Sequence, residues 1–485
     1  MNLARLIDDH DADRPALVSR GTVTSYGKLR DLVARARGGL ASRGVEPGDR
    51  VALVSANSRE FVIGYLATLG AGAVAVPLNP QSPEPELRAE LARAGVKLAL
   101  RGPAGDAVRS VDASSVPGYH GSVAVADLLD AEPAPQVDRA DDDLAVLLYT
   151  SGTAGAPRPA MLTHGNLSSN VDQILANPER PEGTDEVALC VLPLCHVFGL
   201  NAVLAVTLRV GGTAVLAEQF DARASLDAVA EHGVSILTGV PTMWAAWAAL
   251  PDVKPDAMAT VRLAVSGAAA LDPAVRRAVN ERFGIDLTEG YGLTEASPAV
   301  TSGLGHGAPD GSIGVPLPGV SVRLIDSSGE DALVGDPGEI WVKGPNVFAG
   351  YWDDDEATRA ALTGDGWLRT GDVAVVDDDG FLSLVDRAKD VIIVSGFNVY
   401  PAEVEEVLML HPAVEAAAVV AVPHPHSGEA VKAFVVVAAG AEVDEQTLTD
   451  HAAHHLARYK CPSTVVFVDE LPKGEAGKLL RRELR

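Results

Sequence analysis

Apolar runs that predict buried strands alternate with helical patterns along most of the chain. Aliphatic and β-branched residues dominate the runs Arg50–Ser55, Ala71–Leu78, Leu144–Leu148, Val234–Leu237 and Val261–Val265. Helical periodicity occupies Glu60–Leu69 and Ser225–Glu231. This alternation predicts parallel α/β layers. Gly102–Asp143 is rich in Pro, Ala and Asp and predicts a loosely structured connection.

The pattern changes to shorter elements after Asp386. Strands are predicted at Val391–Val394, Val414–Val422 and Val431–Val437, and helices at Pro401–Leu410 and Leu448–Arg458. Proline suits the first position of a helix, which supports a start at Pro401. These elements predict a small α+β domain of about a hundred residues. A continuous single domain is the alternative.

Composition limits the class of protein. The chain has 485 residues and is 47% hydrophobic, enough for a large core and more than one domain. No apolar run approaches the roughly 20 residues of a membrane-spanning helix, and Met1–Arg14 lacks the apolar stretch of a signal peptide. Three cysteines without a close pair argue against a disulfide framework and a zinc site. We expect a soluble cytoplasmic protein, either a monomer or a homodimer.

The net charge of -27 bears on binding partners. A protein this acidic repels nucleic acid unless it carries a strong local basic patch, and no Lys/Arg cluster with interleaved aromatic residues occurs. We therefore expect no nucleic-acid partner. Acidity does not exclude ATP, because backbone N–H groups and a metal ion can meet its phosphates.

Small and hydroxylated residues follow the predicted strand Leu144–Leu148. The stretch Tyr149–Arg158 reads Tyr-Thr-Ser-Gly-Thr-Ala-Gly-Ala-Pro-Arg. Such a loop can turn its backbone N–H groups inward and add hydroxyl donors, which suits a polyphosphate. It is not a Walker A loop, because no Gly-Lys-Thr/Ser ends it and its glycines are too close together. A small-residue surface loop is the alternative for this string alone.

Further motifs follow in a fixed order: Tyr291–Glu295, Thr370–Asp372, Asp386–Asp390, Ser395–Pro401 and a Gly-Lys-Leu-Leu-Arg tail around Lys478. Over nearly its whole length the chain resembles the adenylate-forming superfamily of acyl-CoA synthetases, adenylation domains of peptide synthetases and luciferases. The resemblance implies an α/β fold, with a large layered N-terminal domain of mostly parallel sheets and a small mobile α+β C-terminal domain. It places the domains at residues 1–387 and 388–485.

The resemblance also assigns nucleotide contacts. Tyr291 would lie against the adenine, Thr294 would contact the α-phosphate, and Glu295 would hold Mg²⁺. Asp372 would accept both ribose hydroxyls, and Arg387 would be the second ribose contact. The remaining implied nucleotide contacts are Thr150, Ser151, Gly152 and Thr153 at the β- and γ-phosphates, Gly267 and Ala268 at the adenine edge, and Gly290 and Gly292, which would let the backbone approach the ligand.

Two lysines carry the implied catalysis and domain motion. By resemblance, Lys478 bridges the reacting carboxylate and the α-phosphate, and together with Thr294 and Glu295 it forms the implied catalytic set. Lys473 is the nearest competitor for that role. Lys389 occupies the hinge position.

The phosphate loop departs from the family pattern at three positions, where Ala154, Arg158 and Pro159 stand in place of Thr, Lys and Gly. Arginine keeps the cation and adds bidentate phosphate geometry. Ala154 lacks a hydroxyl donor, and Pro159 stiffens the loop exit. We interpret this as a functional variant that could alter ATP affinity or loop motion.

The segment Pro193–Gly199 resembles the acyl-CoA synthetase version of the acid pocket, with His196 as its gate. A packed core histidine is the alternative. Amino-acid-activating relatives place an Asp here to pair the substrate ammonium, and none occurs between Pro193 and Leu204. A small carboxylic acid with an apolar tail is therefore expected. The predicted pocket residues are His196, Phe198, Val240, Gly267 and Gly292.

The acceptor of the activated acid is expected to be coenzyme A, because no carrier domain follows Lys478. Gly396 resembles part of the loop that flanks the pantetheine tunnel after the small domain rotates. Arg458 and Lys460 are our first choices for contacts to the phosphates of coenzyme A. The resulting hypothesis is an acid–CoA ligase that uses ATP, Mg²⁺ and coenzyme A. The alternatives are a ligase that loads an external carrier protein or an amine, and an inactive nucleotide-binding homologue.

Overall fold

The computed structural model describes residues 2–150, 157–181, 185–269, 271–326, 328–387, 392–399, 401–472 and 484. Its strands, in chain order, are β1 (Pro15–Ser19), β2 (Thr22–Ser25), β3 (Arg50–Val54), β4 (Val74–Leu78), β5 (Val96–Arg101), β6 (Ser122–Ala124), β7 (Leu144–Thr150), β8 (Arg158–Thr163), β9 (Val187–Cys190), β10 (Thr213–Leu216), β11 (Ile236–Gly239), β12 (Leu263–Ser266), β13 (Leu287–Gly292), β14 (Ala299–Ser302), β15 (Ser312–Pro316), β16 (Ser321–Ile325), β17 (Gly338–Lys343), β18 (Leu368–Val376), β19 (Leu382–Arg387), β20 (Ile392–Val394), β21 (Phe397–Val399), β22 (Val414–His424), β23 (Gly428–Val437) and β24 (Thr464–Phe467).

The α-helices are α1 (Tyr26–Ala41), α2 (Arg59–Gly70), α3 (Glu84–Ala94), α4 (His164–Leu175), α5 (Val206–Arg209), α6 (Ala222–His232), α7 (Pro241–Ala249), α8 (Pro273–Phe283), α9 (Asp355–Ala361), α10 (Pro401–Met409) and α11 (Glu445–His455). A π-helix, Phe198–Ala205, runs directly into α5. Short 3₁₀ helices, among them Thr294–Ala296 and Arg458–Lys460, complete the helical elements.

Two sheets build the large domain. One has the strand order β16-β17-β18-β19-β15-β14-β13-β12-β11-β9-β10-β1-β2 and the other β6-β5-β3-β4-β7-β8. The strands from β13 to β1 pair in parallel, and so do those from β6 to β7. The antiparallel run from β13 to β19 was not predicted from the sequence.

Helix α2 lies between these two sheets and explains why they stack. It packs against β3 and β4 of the smaller sheet and against β1 of the larger one. Residues 61–70 of α2 are all buried, as expected for a helix covered on every side. Its N-terminus is capped by Ser58, whose hydroxyl accepts a hydrogen bond from the backbone N–H of Phe61.

The small domain has its own sheet and core. Strands β20 to β24 form one sheet, and α10 and α11 pack against it. Side chains such as Ile392, Val404, Val419 and Leu448 are buried in a cluster separate from that of the large domain. This arrangement confirms the predicted fold class. The boundary at residues 387 and 388 stays a prediction, because residues 388–391 lie outside the described ranges.

Most predicted elements are present, with shifted ends. Leu448–Arg458 is only partly helical, because α11 ends at His455 and Arg458 belongs to a separate 3₁₀ turn. The connection Gly102–Asp143 is not purely irregular, since it contains β6 and short 3₁₀ helices. None of the helices in the described ranges is long and apolar enough to cross a lipid bilayer.

Candidate active site

A cavity of about 1120 Å³ opens where the two domains meet. It lies at the carboxyl ends of the parallel strands β11, β12 and β13, the edge where α/β sheets bind ligands. The large domain contributes most of the wall, and Gly396, Phe397 and Lys460 of the small domain close one side.

Tyr291 and Asp372 meet in this cavity. The hydroxyl of Tyr291 donates a hydrogen bond of 2.6 Å to Oδ2 of Asp372. Burial, and then Asp372, raise the pKa of the Tyr291 phenol well above its ordinary value, so it remains a donor. The turn at Asp372 is held by Thr370, whose hydroxyl accepts from the Asp372 N–H and donates to the Ile340 carbonyl. These two motifs are far apart in the sequence, and the fold joins them.

Glu295 also lines the cavity, and its position is fixed by a residue that the sequence analysis missed. The hydroxyl of Tyr351 donates a hydrogen bond of 2.7 Å to Oε1 of Glu295. Glu295 lies in the 3₁₀ turn that begins at Thr294, another residue of the cavity wall. No local pattern marks Tyr351, since a tyrosine after a glycine is common in loops.

The donor set fits Mg²⁺ bound together with phosphates. Among the described residues, no group of three or more His, Cys, Asp or Glu side chains is arranged to hold a metal. Mg²⁺ commonly takes one or two carboxylates and completes its shell with water and substrate phosphates. Glu295 in the cavity wall supplies one such carboxylate.

The predicted phosphate loop is described only at its two ends. Thr150 is buried at the end of β7, lines the cavity, and its hydroxyl has no hydrogen-bond partner among the described residues. Such an orphaned donor fits a phosphate oxygen. At the other end, Arg158 donates to Asp354 at 2.9 Å. The cation that we expected at a phosphate is therefore paired with a carboxylate in this structure.

Several predicted residues lie outside the described ranges, namely Ser151, Gly152, Thr153, Ala154, Lys389, Lys473 and Lys478. For Arg387 only the backbone is described, and it pairs with Asp372 across β18 and β19.

Gly290 and Gly292 line the cavity, but the close approach that requires glycine is to a neighbouring strand. A Cβ at residue 290 would lie 2.7 Å from the Thr301 carbonyl oxygen, and one at residue 292 would lie 2.3 Å from that of Pro298. The sequence analysis expects these glycines to admit a ligand. In this structure the lack of a side chain at both positions leaves room for the backbone around β14. Contact of these two glycines with a nucleotide stays a prediction.

The π-helix supplies one wall of what we call the acid pocket. The helix is anchored by Asn201, whose amide donates to the carbonyls of Leu167 and Ser297. Phe198 at its start faces Gly267, where a Cβ would lie 2.9 Å from the phenyl ring. The acid pocket is lined by Phe198, Ala202, Val206, Ile236, Thr238, Leu263 and Val265.

His196 stands at the mouth of the acid pocket, next to the small domain. Its ring meets that of Phe397 edge-on at a centroid distance of 4.9 Å. Burial, and then the charge of Lys460, lower the pKa of His196 to about 4, so the ring is neutral at pH 7. The structure thus places the predicted gate residue between the two domains.

The small domain reaches the pocket through Gly396. Gly396 has φ +84, and a Cβ there would lie 2.8 Å from Cγ1 of Val240. Val240 directly follows β11, so the predicted tunnel loop and the predicted pocket residue are in direct contact.

The position of Lys460 corrects the expectation that this residue contacts the phosphates of coenzyme A. Its ammonium is buried and donates to Oε1 of Glu86 at 2.7 Å and to Oε1 of Glu403 at 2.9 Å. Burial disfavours the charge, but Tyr459, Glu403, Glu86 and Glu90 together outweigh it and keep the pKa of Lys460 well above its ordinary value. A lysine held in this way is not available to phosphates at the surface. Arg458 is exposed and remains the candidate of the pair.

Comparison with known families agrees with this geometry. Residues 6–352 match the family described as AMP-binding enzyme, and residues 403–478 match the AMP-binding enzyme C-terminal domain.

Curated relatives cover nearly the whole chain. A feruloyl-CoA synthase from an Amycolatopsis species is 42% identical over 96% of this chain and 94% of that protein. A long-chain-fatty-acid–CoA ligase from Yersinia pestis is 37% identical over 98% of this chain and 92% of that protein.

Solved structures share the complete fold. A double mutant of the o-succinylbenzoate CoA synthetase from Bacillus subtilis, bound with its product analogue, superposes with a TM-score of 0.90 at 29% identity, covering 100% of this chain and 98% of the other. An amide bond synthetase from Marinactinospora thermotolerans gives 0.89 at 33% identity, covering 100% and 99%.

Proposed function

Because the chain belongs to the AMP-binding enzyme family, we propose that it activates an apolar-tailed carboxylic acid as acyl-AMP and transfers the acyl group to coenzyme A. The enzyme class predicted from the sequence, an AMP-forming acid–CoA ligase, is confirmed by the named relatives. One observation carries the proposal. A single cavity is lined by Tyr291, Asp372 and Glu295, by the acid pocket, and by Gly396.

The chemistry requires two successive occupants of that cavity. A carboxylate is a poor electrophile, because its negative charge is delocalised and repels nucleophiles. Attack of a carboxylate oxygen on the α-phosphorus of ATP expels pyrophosphate and leaves a mixed anhydride. The thiol of coenzyme A then attacks the acyl carbon, loses its proton and expels AMP. Positioning and charge stabilisation supply most of the acceleration in such transfers.

Residues of this chain would divide that work. Asp372 would accept the ribose hydroxyls, with its orientation kept by Thr370 and Tyr291. Thr150 would donate its unpartnered hydroxyl to a phosphate. Lys478 would bridge the carboxylate and the α-phosphate. When bound at Glu295, Mg²⁺ would neutralise phosphate charge.

The acid pocket supports an acid without an ammonium group. Its lining is aliphatic and aromatic except for Thr238. Two charge pairs lie nearby, Arg276 with Glu289 and Arg180 with Glu186. An amino acid would bring an ammonium that finds no carboxylate among the seven residues named as the lining of the acid pocket, which is costly in a buried site.

The contact between Gly396 and Val240 supports the thioester-forming arrangement of the domains. By the family resemblance, this loop flanks the pantetheine tunnel after the small domain has rotated. The TM-score of 0.90 to a synthetase holding a product analogue is consistent with that arrangement. We propose that the structure represents the second half-reaction and that a rotation near Lys389 gives the first.

Pyrophosphate release with a panel of carboxylic acids tests the proposal. Release that depends on both acid and MgATP is expected, and Lys478→Ala should reduce it by two orders of magnitude or more. Lys473→Ala is the matched control and should retain release. Acyl transfer from supplied acyl-AMP should survive Lys478→Ala. Absence of acid-dependent release with every acid would overturn the ligase proposal.

A second measurement separates the acceptors. The similarity to an amide bond synthetase makes an amine a reasonable competitor of coenzyme A. Wild-type enzyme loaded with acyl-AMP should be offered coenzyme A, a carrier protein and a simple amine in parallel. Thioester formation with coenzyme A should be fastest. Faster transfer to the amine or to the carrier protein would show that coenzyme A is not the preferred acceptor.

A further inference from the structure

We propose that Glu90 positions the small domain through its protonation state. It carries a proton while the domain lies as in this structure, and it releases that proton when the domain rotates away. The inference rests on the proposed function, since that function needs two orientations of the small domain. Glu90 lies on α3 of the large domain and lines the cavity beside the ion pair of Glu86 with Lys460.

Three carboxyl groups meet one ammonium group at the interface of the two domains. Nζ of Lys460 lies 2.7 Å from Oε1 of Glu86 and 2.9 Å from Oε1 of Glu403. Glu90 follows Glu86 by about one turn of α3, and Glu86, Lys460 and Glu403 all act electrostatically on its carboxyl group. If all three carboxyl groups were ionised, the cluster would hold two more negative charges than positive ones. Such an excess is costly in a buried place.

The contacts indicate that Glu90 is the protonated member of this cluster. Oε2 of all three carboxyl groups is buried without a hydrogen-bond partner among the described residues. Glu86 and Glu403 each accept from Lys460 through Oε1, which favours their ionised form. Glu90 has no such contact with that ammonium in the described part of the chain.

The electrostatics agree with this assignment. Burial, and then the charge of Glu86, raise the pKa of Glu90 well above its ordinary value, against the opposing effect of Lys460. Burial also raises the pKa of Glu403, but there Lys460 opposes the rise both by its charge and by a hydrogen bond. The proton therefore belongs on Glu90.

The remaining neighbours of Glu90 do not replace that proton. Tyr149 of β7 donates a hydrogen bond of 2.6 Å to the backbone carbonyl of Glu90, and the thiol of Cys195 lies near enough to be affected by its charge. Burial raises the pKa of both groups, so both are neutral at pH 7. Helix α11, strand β5 and the 3₁₀ helix Gly105–Ser110 also pack against α3, but the charges that act on the Glu90 carboxyl are the three named above.

Rotation of the small domain would remove two of these three charges. Lys460 and Glu403 belong to the small domain and leave together, whereas Glu86 stays beside Glu90 on α3. Water then hydrates the carboxylate, and the pKa of Glu90 falls toward its ordinary value of 4.5. Between that value and the raised one, the thioester-forming arrangement binds one more proton than the rotated arrangement. Its stability is therefore present at low pH and is lost as the pH rises through the raised pKa.

The uptake of protons tests this coupling directly. The enzyme is first loaded with the sulfamoyl analogue of an acyl-AMP, which occupies the site of the first half-reaction and does not react. Coenzyme A is then titrated in by calorimetry at pH 6, 7 and 8, in two buffers with different enthalpies of ionisation. The difference in heat between the buffers gives the number of protons that the complex takes up when the small domain turns to the thioester-forming arrangement.

Glu90→Gln keeps the shape of the neutral carboxyl group and cannot titrate. Wild type should take up at least half a proton more than this variant at one or more of the three pH values. Protons exchanged by coenzyme A itself are the same in both proteins and cancel. Glu84→Gln is the matched control, because Glu84 lies on the same helix but pairs with Arg88 of its own domain, and its uptake should match wild type. Glu86→Gln removes a charge that raises the pKa of Glu90, so uptake should fall below that of wild type.

The outcomes separate the two proposals. If wild type does not transfer the acyl group from supplied acyl-AMP to coenzyme A, the proposed function fails. If transfer occurs but wild type and Glu90→Gln take up equal numbers of protons at every pH, the role of Glu90 is wrong while the ligase function stands. A loss of uptake in Glu84→Gln as large as that in Glu90→Gln would also overturn it. If Glu90→Gln does not fold, wild type and Glu86→Gln still decide, and equal uptake by these two overturns the role of Glu90.

Discussion

Lys460 and Glu86 form a buried ion pair between the two domains, with Nζ 2.7 Å from Oε1 and the side chains 7% and 8% exposed. Lys460 also binds Glu403 of its own domain. A third carboxyl group, that of Glu90, lies close enough that burial, and then Glu86, raise its pKa well above the ordinary value. We expect this contact to hold the small domain in its present orientation.

Glu86→Gln should selectively destabilise this orientation of the small domain. The glutamine keeps the size of the side chain and removes the charge that attracts Lys460 across the interface. Loss of one partner of a buried pair is strongly destabilising, so transfer of the acyl group from supplied acyl-AMP to coenzyme A should slow at least tenfold. Single-turnover thioester formation measures this step.

Glu403→Gln is the control for that prediction, because it removes a carboxylate that binds the same ammonium within one domain. It should lower thermal stability more than it slows transfer. Equal rates of transfer in Glu86→Gln and wild type would show that the interdomain pair does not set the domain orientation.

Gly396→Ala should block the same arrangement sterically. The added Cβ would lie 2.8 Å from Cγ1 of Val240, and transfer to coenzyme A should fall at least tenfold while adenylation continues. Gly440→Ala is a matched control, since Gly440 has φ +79 but open space around its Cα. Both variants should lose about 1 kcal/mol of stability from the strained backbone, and only Gly396→Ala should lose transfer.

A second substitution sharpens this test. Val240→Ala removes the methyl groups that the new Cβ would strike. The double variant should recover much of the transfer rate. A double variant that is as slow as Gly396→Ala alone would mean that the defect comes from the backbone and not from the contact.

Tyr351→Phe should affect the use of Mg²⁺ by way of Glu295. The phenol donates to Oε1 of Glu295 at 2.7 Å and holds the carboxylate in place. Its loss should raise the Mg²⁺ concentration needed for half-maximal pyrophosphate release severalfold, and Glu295→Gln should raise it further. Titration of Mg²⁺ at saturating acid measures both effects. Unchanged curves in both variants would show that Glu295 has a structural role only.

His196 should make stability depend on pH. Its pKa is lowered from 6.5 to about 4, chiefly by burial. Between these values the unfolded chain binds a proton that the folded chain does not, so stability must fall as the pH falls from 6.5 to 4. The difference amounts to roughly 3 kcal/mol. Urea unfolding at several pH values measures it.

His196→Phe keeps an aromatic ring against Phe397 and should remove this part of the pH dependence. His120→Phe, at an exposed histidine, is the control and should change nothing. Part of the dependence should persist in both variants, because burial also lowers the pKa of His164 to about 4. An identical slope in His196→Phe and wild type would contradict the prediction.

Local sequence patterns were sufficient to predict an element or a motif wherever it depends on residues that are neighbours in the chain. The helix Arg59–Gly70 and the strand Arg50–Val54 match their predicted spans closely, because periodicity and capping act over a few residues. The motifs around Tyr291 and Asp372 were found for the same reason. The ends of the elements were less accurate, as the helix predicted to reach Arg458 shows.

The sequence by itself determined the α/β and α+β layers, the family resemblance, and a minority of the residues that line the cavity, among them Tyr291, Glu295 and Asp372. Only the tertiary structure decided which side chains contact each other. Lys460 looked like a surface cation until Glu86, 374 positions away, proved to be its partner. Tyr351 carried no local mark, because its role depends on its contact with Glu295. Burial and pairing arise from contacts between distant segments, and those contacts set the charge, the pKa and the free donors of the site.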